Sequence, residues 1–243
     1  LVFASVMIQS IWLFTSAQIL KEKNLMRIIA LLFLFIPAVF LQSGTIMLVV
    51  PAAAFGMLMV CALLHPSETG KIPTILFGIL WLFALLSVYH NILFAPLVWS
   101  AMHASQGTVR EKKIFFFGPI LLLVLYSLSH PLALASMIGV TKTHTSLSLM
   151  ARGWDIAHTL LLGGGLLTLT GIAGAMIEKN RPLLLSLFAT LALICLSPQP
   201  YYAILLVPNL LAGTLFLLKQ EKVKPRILLA LHIPLSKIGR AHV

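Results

Sequence analysis

The polar segment 143–155 contains the residues whose chemistry stands out most in this sequence. Asp155 is the only aspartate among 243 residues, and its carboxylate could act as a weak candidate base or bind a metal or a ligand hydroxyl. Arg152 offers a planar guanidinium that can bind a phosphate through two parallel hydrogen bonds. His144 and Ser146 add an imidazole and a hydroxyl. A structural alternative makes Asp155 the N-cap of a helix that begins at residue 156.

A second polar segment, residues 196–202, has the sequence Leu-Ser-Pro-Gln-Pro-Tyr-Tyr. Ser197 and the two prolines favour a tight turn, and Tyr201 and Tyr202 provide aromatic faces for stacking. Two shorter turns contain Gln42 and His90. Polar groups without partners cost several kcal/mol in apolar surroundings, so function is expected at these few positions.

Four histidines, which fall within or at the ends of apolar runs, could ligate haem or a metal. They are His90, His103, His130 and His158. His90 and His103 are thirteen residues apart, which is about 220° around one continuous helix, so they would face different ways. No HxxxH, HxxEH or CxxC spacing occurs. We therefore expect no metal and no cofactor, and a haem- or metal-binding redox membrane protein stays open as an alternative.

The composition predicts an integral membrane protein. The chain is 60% hydrophobic and 9% charged, with a mean hydropathy of +1.03, whereas a soluble domain has roughly 25% charged residues. Seventeen Lys and Arg against six Asp and Glu give a net charge of +11. No basic patch is interleaved with aromatics, so nucleic acid is not the expected partner. In a bilayer, the excess of cations instead marks cytoplasmic loops.

Apolar runs of about the length that spans a bilayer divide the chain into nine segments, with a tenth that starts near residue 227. The runs are 1–20, 25–41, 46–64, 72–89, 91–104, 114–131, 156–177, 183–197 and 201–218. The predicted fold class is all-α, a polytopic transmembrane helix bundle in one domain, 1–237. Residues 238–243 resemble read-through of a sequencing adapter. We expect a fragment whose N-terminal part is missing, because Leu1 already lies in an apolar run.

The distribution of cations predicts which ends of the helices face the cytoplasm. Thirteen of the seventeen Lys and Arg fall in the loops 21–27, 65–71, 105–113, 178–181 and 219–226. The helix count puts these five loops on one side, which is therefore cytoplasmic. The turns 42–45 and 89–91, the segment 130–155 and the turn 197–202 lie on the outer side. There Arg152 could equally sit among lipid headgroups.

The order of these segments resembles the C-terminal part of glycosyltransferase family 87, the polyprenol-phosphate-mannose-dependent mannosyltransferases of the GT-C superfamily. In that family an outer loop leads through a helix and a basic turn to a Ser-Pro tip, an aromatic or His pair and a Pro-containing helix. The corresponding features here are Thr145-Ser146-Leu147, the 156–177 run, the basic turn 179–181, the tip 196–202 and Pro208. Upstream, Pro37 to Gln42 and His90 to Leu97 are similar to two further family segments.

This resemblance implies a GT-C-like bundle in a bacterial plasma membrane. It implies an enzyme of the cell envelope that transfers a sugar, mannose in the family, from a polyprenyl-phosphate donor at the outer face. The implied substrate-binding residues are Gln42, His90, His144, Ser146, Arg152, Ser197, Tyr201 and Tyr202. The family's catalytic acid would lie upstream of Leu1. A transporter or flippase of a lipid or small solute is the main alternative.

Overall fold

The structure, a computed structural model, describes residues 49–130, 149–199, 202–220 and 227, and these residues form helices and short connections. The predicted all-α class is confirmed for these ranges. The α-helices are α1 (Val49–Leu64), α2 (Pro66–Thr69), α3 (Thr74–Ser87), α4 (Ala95–Ala104), α5 (Val109–Ser129), α6 (Leu149–Gly164), α7 (Leu166–Glu178), α8 (Arg181–Leu196) and α9 (Ala203–Lys219). A 3₁₀ helix, Tyr89–Phe94, precedes α4.

Side-chain caps fix where two of the helices begin. Before α5, the Thr108 hydroxyl accepts a hydrogen bond from the Glu111 backbone N–H, and the Glu111 carboxylate accepts one from the Thr108 N–H. This capping box satisfies two N–H groups that have no partner inside the helix. Before α8, the Asn180 side chain accepts from the Leu183 N–H at 3.1 Å. Both helices therefore begin next to a basic turn.

Helix α9 is the centre of the bundle and packs against α1, α6, α7 and α8. Its residues from Ala203 to Leu215 are buried on every side, as expected for a helix without a polar face. The crossing with α7 brings the two backbones into contact, because a Cβ on Gly213 would overlap the carbonyl oxygen of Gly171. Gly171 and Gly174 on α7 likewise leave no room for a Cβ against α9, so small residues allow this close packing.

The 156–177 run is not one straight helix, and this part of the predicted architecture is wrong. Helix α6 begins at Leu149 and ends at Gly164, and α7 continues after a bend of 84°. Gly165 makes the bend with a φ of 50° and a ψ of −129°, which only glycine adopts without strain. Asp155 consequently lies inside α6, and its predicted role as an N-cap is also wrong.

The connection before α3 and the connection before α5 contact each other. The hydroxyls of Thr74 and Ser105 are 2.6 Å apart, which ties the start of α3 to the end of α4. The Lys112 ammonium donates to the His103 carbonyl at 2.8 Å. A second contact joins the ends of α7 and α9, where Gln220 donates to the Glu178 carboxylate at 3.0 Å. We call the described parts of the loops 65–71, 105–113, 178–181 and 219–226 the basic end.

One helix among the described residues, Val109–Ser129, is long and apolar enough to cross a membrane, and the bent pair α6 and α7 raises the count to two. The other apolar helices have 10–17 residues. Val109–Ser129 is mostly exposed, with Leu121 and Leu128 at 59% and 66%. Phe83 on α3 is similarly 63% exposed. Large apolar side chains thus cover much of the outer surface of α3 and α5.

Candidate functional site at the polar end

Three segments that are far apart in sequence meet at the end of the bundle opposite the basic end. Arg152, on α6, donates hydrogen bonds from Nε and Nη2 to the carbonyl oxygen of Cys195, at 3.1 and 2.6 Å. The Nε2 of His90 lies 3.2 Å from the hydroxyl oxygen of Tyr202. We call the described parts of 89–91, 152–155 and 195–202 the polar end. The segment 195–202 thus contacts α6 through Cys195 and the 3₁₀ helix through Tyr202.

The contact of Arg152 joins residues 43 positions apart and places its charge at the last turn of α8. The carbonyls at a helix C-terminus lack partners within the helix and carry partial negative charge, so a cation is stabilised there. A guanidinium has five N–H donors, and the carbonyl of Cys195 engages two of its three nitrogens. The third nitrogen, Nη1, makes no hydrogen bond with a residue of the described ranges.

Asp155 lies on the same side of α6 as Arg152, because residues three apart are neighbours on a helix surface. Its side chain is partly buried. Within the described ranges the carboxylate forms no ion pair and no hydrogen bond. A cation and an anion on adjacent turns therefore face the polar end, and neither neutralises the other directly.

His90 lies between two tyrosine rings. Its imidazole centroid is 4.0 Å from that of Tyr89 and 4.8 Å from that of Tyr202. Burial lowers the pKa of His90 from 6.5 to about 4, because the charged form would lose its hydration. The imidazole is therefore neutral at neutral pH. The neighbouring Asn91 is buried and donates to the Ala84 carbonyl at 2.7 Å, which holds the turn against α3.

The turn after α8 contributes Ser197, which is buried at 4% exposure. Its hydroxyl has no hydrogen-bond partner in the part of the chain that is described. The Tyr202 N–H donates to the Gln199 carbonyl at 2.9 Å and closes the turn into α9. Of the predicted substrate-binding residues, His90, Arg152, Ser197 and Tyr202 are thus at the polar end. The others lie outside the described residues: Gln42, His144, Ser146 and Tyr201.

No three of the described histidines come together, and His158 is exposed on α6. His90 is at the polar end, whereas His103 is in the last turn of α4, at the basic end. Metal–nitrogen bonds are about 2 Å long, so the two ends of α4 cannot hold one metal ion. His130 contacts Ser129 and the ring of Tyr126. No group of three His, Cys, Asp or Glu side chains in the described ranges is arranged to hold a metal ion.

Two features of the structure were not predicted from the sequence. The first is the hydrogen-bond acceptor of Arg152. It is a backbone carbonyl, which every residue has, so the sequence does not indicate which residue provides it. Asn209 is the second feature, since it is completely buried in the middle of α9 directly after Pro208. A Pro-Asn pair inside an apolar run was a usable signal, because Pro breaks the hydrogen-bond ladder of a helix and Asn is costly to bury there.

Comparisons with known proteins gave no match: no protein-family model, no curated protein and no solved structure matches this chain. The functional argument therefore depends on the chemistry of the polar end. It also uses the order of motifs set out from the sequence.

Proposed function

We propose that this chain is an integral membrane glycosyltransferase, a GT-C-like bundle of nine to ten spanning helices. It transfers a sugar, mannose in the family that it resembles, from a polyprenyl-phosphate donor at the outer membrane face. The contact of Arg152 with the Cys195 carbonyl carries the proposal. It brings a phosphate-binding type of side chain next to the turn 197–202, to which the resemblance gives a substrate-binding role.

The surface of the bundle supports a membrane location. A core helix of a soluble protein is mostly buried. In the most apolar stretch of Val109–Ser129, by contrast, only 11% is buried. Exposing so much apolar surface to water would be unfavourable by about 25 cal/mol per Å². The basic end carries Lys112, Lys113, Lys179 and Arg181, and the positive-inside rule assigns this end to the cytoplasm. The polar end then faces outward.

The polar end has groups that sugar transfer requires. In the transfer, an acceptor hydroxyl oxygen bonds to the anomeric carbon, its proton goes to a base, and the polyprenyl phosphate leaves with the bonding electrons. A guanidinium stabilises the departing phosphate, a role that suits Arg152. Asp155 is a weak candidate for the base within the described residues. The ring of Tyr89, which is 40% exposed, suits contact with a sugar face.

The test is transfer by the purified full-length protein in phospholipid nanodiscs. The donor is a polyprenyl phosphate carrying radiolabelled mannose, and the acceptor is a mixture of membrane glycolipids. We expect label to leave the donor and to appear in a new lipid or in free mannose by slow hydrolysis. Label that stays in the donor, at a protein concentration equal to that of the donor, would contradict the proposal.

A lipid transporter or flippase is the second candidate, and Asn209 favours it. The side chain is 0% exposed, and neither Oδ1 nor Nδ2 has a hydrogen-bond partner within the described ranges. Pro208, inside the same helix, removes one backbone N–H donor immediately before it. Buried polar groups inside apolar helices are typical of transport sites. Movement of a fluorescent donor lipid across vesicles, without loss of its sugar, would favour this candidate over transfer.

A further inference from the structure

Helix α6 has its polar and apolar sides arranged in the opposite way to a surface helix of a soluble protein. The large side chains that point away from the bundle are mostly apolar: Met150, Trp154 and Leu161 are 89%, 73% and 65% exposed, and His158 is exposed beside them. The side that faces the bundle carries Arg152 and Asp155, which are partly buried. It also carries Thr159, which is completely buried. In water, an amphipathic helix turns its apolar face inward.

The exposed residues form one continuous stripe. Met150, Trp154, Ala157 and Leu161 follow one another at intervals of four, three and four residues, which places them along one side of a helix. Together with Ala151 and Gly153, the first three line a shallow depression of about 560 Å³. The small residues Ala151, Gly153 and Ala157 leave room between the large side chains of Met150 and Trp154. The stripe is therefore a mostly apolar surface about three turns long, with the exposed His158 at its edge.

The direction of α6 indicates what covers this surface. The helix makes an angle of 84° with α7, so if α7 crosses the bilayer, α6 runs close to the membrane plane. Its N-terminal half belongs to the polar end, because Arg152 is bonded to the last turn of α8. Tryptophan is enriched at the boundary between headgroups and hydrocarbon. A helix at this height meets lipid on its outer side and the site on its inner side.

We propose that α6 is an interfacial helix whose Met150–Trp154–Leu161 stripe inserts into the outer leaflet of the bilayer, at the level between headgroups and acyl chains. The polar side of the same helix closes one wall of the polar end. The partner is the phospholipid surface itself. This role does not depend on the reaction, since a transporter or a transferase would hold the helix in the same way.

The experiment measures the depth of three points along the helix in the full-length protein. In a background with Cys61→Ala and Cys195→Ser, which keeps the Cys195 backbone carbonyl, single cysteines replace Met150, Ala157 and Leu161. Each is spin-labelled and the protein is reconstituted in palmitoyl-oleoyl-phosphatidylcholine vesicles. Collision rates with oxygen and with a water-soluble nickel chelate then give the depth of each label. Leu121→Cys on α5 is the lipid control, and Lys113→Cys at the basic end is the water control.

We expect oxygen collisions to exceed nickel collisions at all three positions, as at Leu121→Cys, with nearly equal, shallow depths. A helix along the membrane normal would instead give a depth difference of about 16 Å between residues 150 and 161, from a rise of 1.5 Å per residue. That gradient would overturn the proposal. Nickel collisions as frequent as at Lys113→Cys would overturn it too, by placing the stripe in water. Few collisions with either reagent would show that protein covers the stripe, from this chain or from a second copy.

Each cysteine variant is checked by its thermal unfolding midpoint before labelling. The three positions point away from the bundle, so the midpoints are expected to match that of the background protein. A second readout covers the case in which labelling perturbs one site. Trp154→Phe keeps the apolar surface, and Trp154→Glu introduces a charge. We expect membrane reconstitution to be unchanged in the first variant and reduced in the second; equal reconstitution would contradict the insertion.

Discussion

The Nε2 of His90 lies 3.2 Å from the hydroxyl oxygen of Tyr202, although 112 residues separate the two along the chain. The contact joins the 3₁₀ helix Tyr89–Phe94 to the start of α9. Tyr202 is buried, at 6% exposure, so this polar contact is shielded from water. It holds the 3₁₀ helix against the first residues of α9, the central helix of the bundle.

Tyr202→Phe is expected to lower the free energy of unfolding by about 0.5–1.5 kcal/mol, the usual net value of one hydrogen bond. The substitution removes the hydroxyl that contacts His90 and keeps the ring that stacks on it. Unfolding of the purified protein in a denaturant series measures the change. Tyr126→Phe is the matched control, because Tyr126 also stacks on a histidine, His130, and is 58% exposed. An equal loss in both variants would contradict a specific role of the buried hydroxyl.

The buried imidazole also predicts a dependence of stability on pH. Burial lowers the pKa of His90 from 6.5 to about 4, so between these values the unfolded chain binds a proton that the folded protein does not. The free energy of unfolding should therefore be steady above pH 6.5 and fall as the pH drops toward 4. We expect His90→Gln to flatten this fall. Denaturant unfolding at several pH values measures it.

Between about pH 6.5 and 5, the effect of His90 on stability can be distinguished from that of the carboxylates. Hydrogen bonds from Thr108 hold the pKa of Glu111 below its usual value, so Glu111 loses its contribution only at more acidic pH. A difference between wild type and His90→Gln over about pH 6.5 to 5 therefore reports on the imidazole. Parallel curves for the two proteins in this range would show that His90 is not buried as the structure has it.

Gly213→Ala tests the contact between the backbones of α7 and α9. The added methyl group would overlap the carbonyl oxygen of Gly171, which is backbone and cannot rotate away. We expect a loss of at least about 1–3 kcal/mol, the range for overpacking a core. Gly118→Ala on α5 is the control, since a Cβ there meets nothing within 4 Å. That substitution should be neutral or stabilise by about 0.5–1 kcal/mol, because alanine favours helix.

The sequence predicted the existence of most helices because long apolar runs leave few alternatives. It could not place the break between α6 and α7, since counts of apolar residues do not show that Gly165 adopts a positive φ. The polar residues Arg152 and Asp155 suggested a loop for a related reason. These residues lie on a helix whose polar side faces the protein. In a soluble protein the polar side of a helix faces water, so that rule does not predict which way this helix is turned.

The sequence predicted those residues of the candidate site whose side chains are unusual in an apolar chain. Polar turns in an apolar chain pointed to His90, Arg152 and Tyr202, and the structure places all three at the polar end. Their partners were not predictable. Every residue has a carbonyl, so the choice of Cys195 depends on where α8 ends relative to α6. Cys195 itself lies in an apolar run, and its side chain is exposed.

Labelling from one side of the membrane tests the orientation of the bundle. Cysteine at Gln199, at the polar end, should react with a membrane-impermeant thiol reagent added outside intact cells. Cysteine at Lys113, at the basic end, should react only after the cells are opened. Both positions are compared in the background of Cys61→Ala and Cys195→Ser, which removes the native thiols. Labelling with the opposite sidedness would exclude an outward-facing site.

Substitutions of Arg152 separate its structural contact from its proposed contact with the donor phosphate. Arg152→Gln keeps an N–H donor for the Cys195 carbonyl and removes the charge, whereas Arg152→Lys keeps the charge and loses the two-pronged geometry. If Arg152 binds the phosphate, a charge-assisted contact worth about 1.5–3 kcal/mol is lost in Arg152→Gln. Donor use should then fall roughly ten- to a hundredfold, and Arg152→Lys should recover part of it.

The thermal unfolding midpoint of each Arg152 variant is measured beside its donor concentration dependence. A role limited to docking α6 on α8 predicts that the midpoint falls in proportion to activity, and that Arg152→Gln is the milder substitution. A role in binding phosphate predicts the reverse order, because charge matters more than hydrogen bonding to a lipid phosphate. Adding salt should weaken donor binding by wild type and by Arg152→Lys, and should leave Arg152→Gln nearly unchanged. Equal salt dependence in all three proteins would exclude Arg152 as the phosphate ligand.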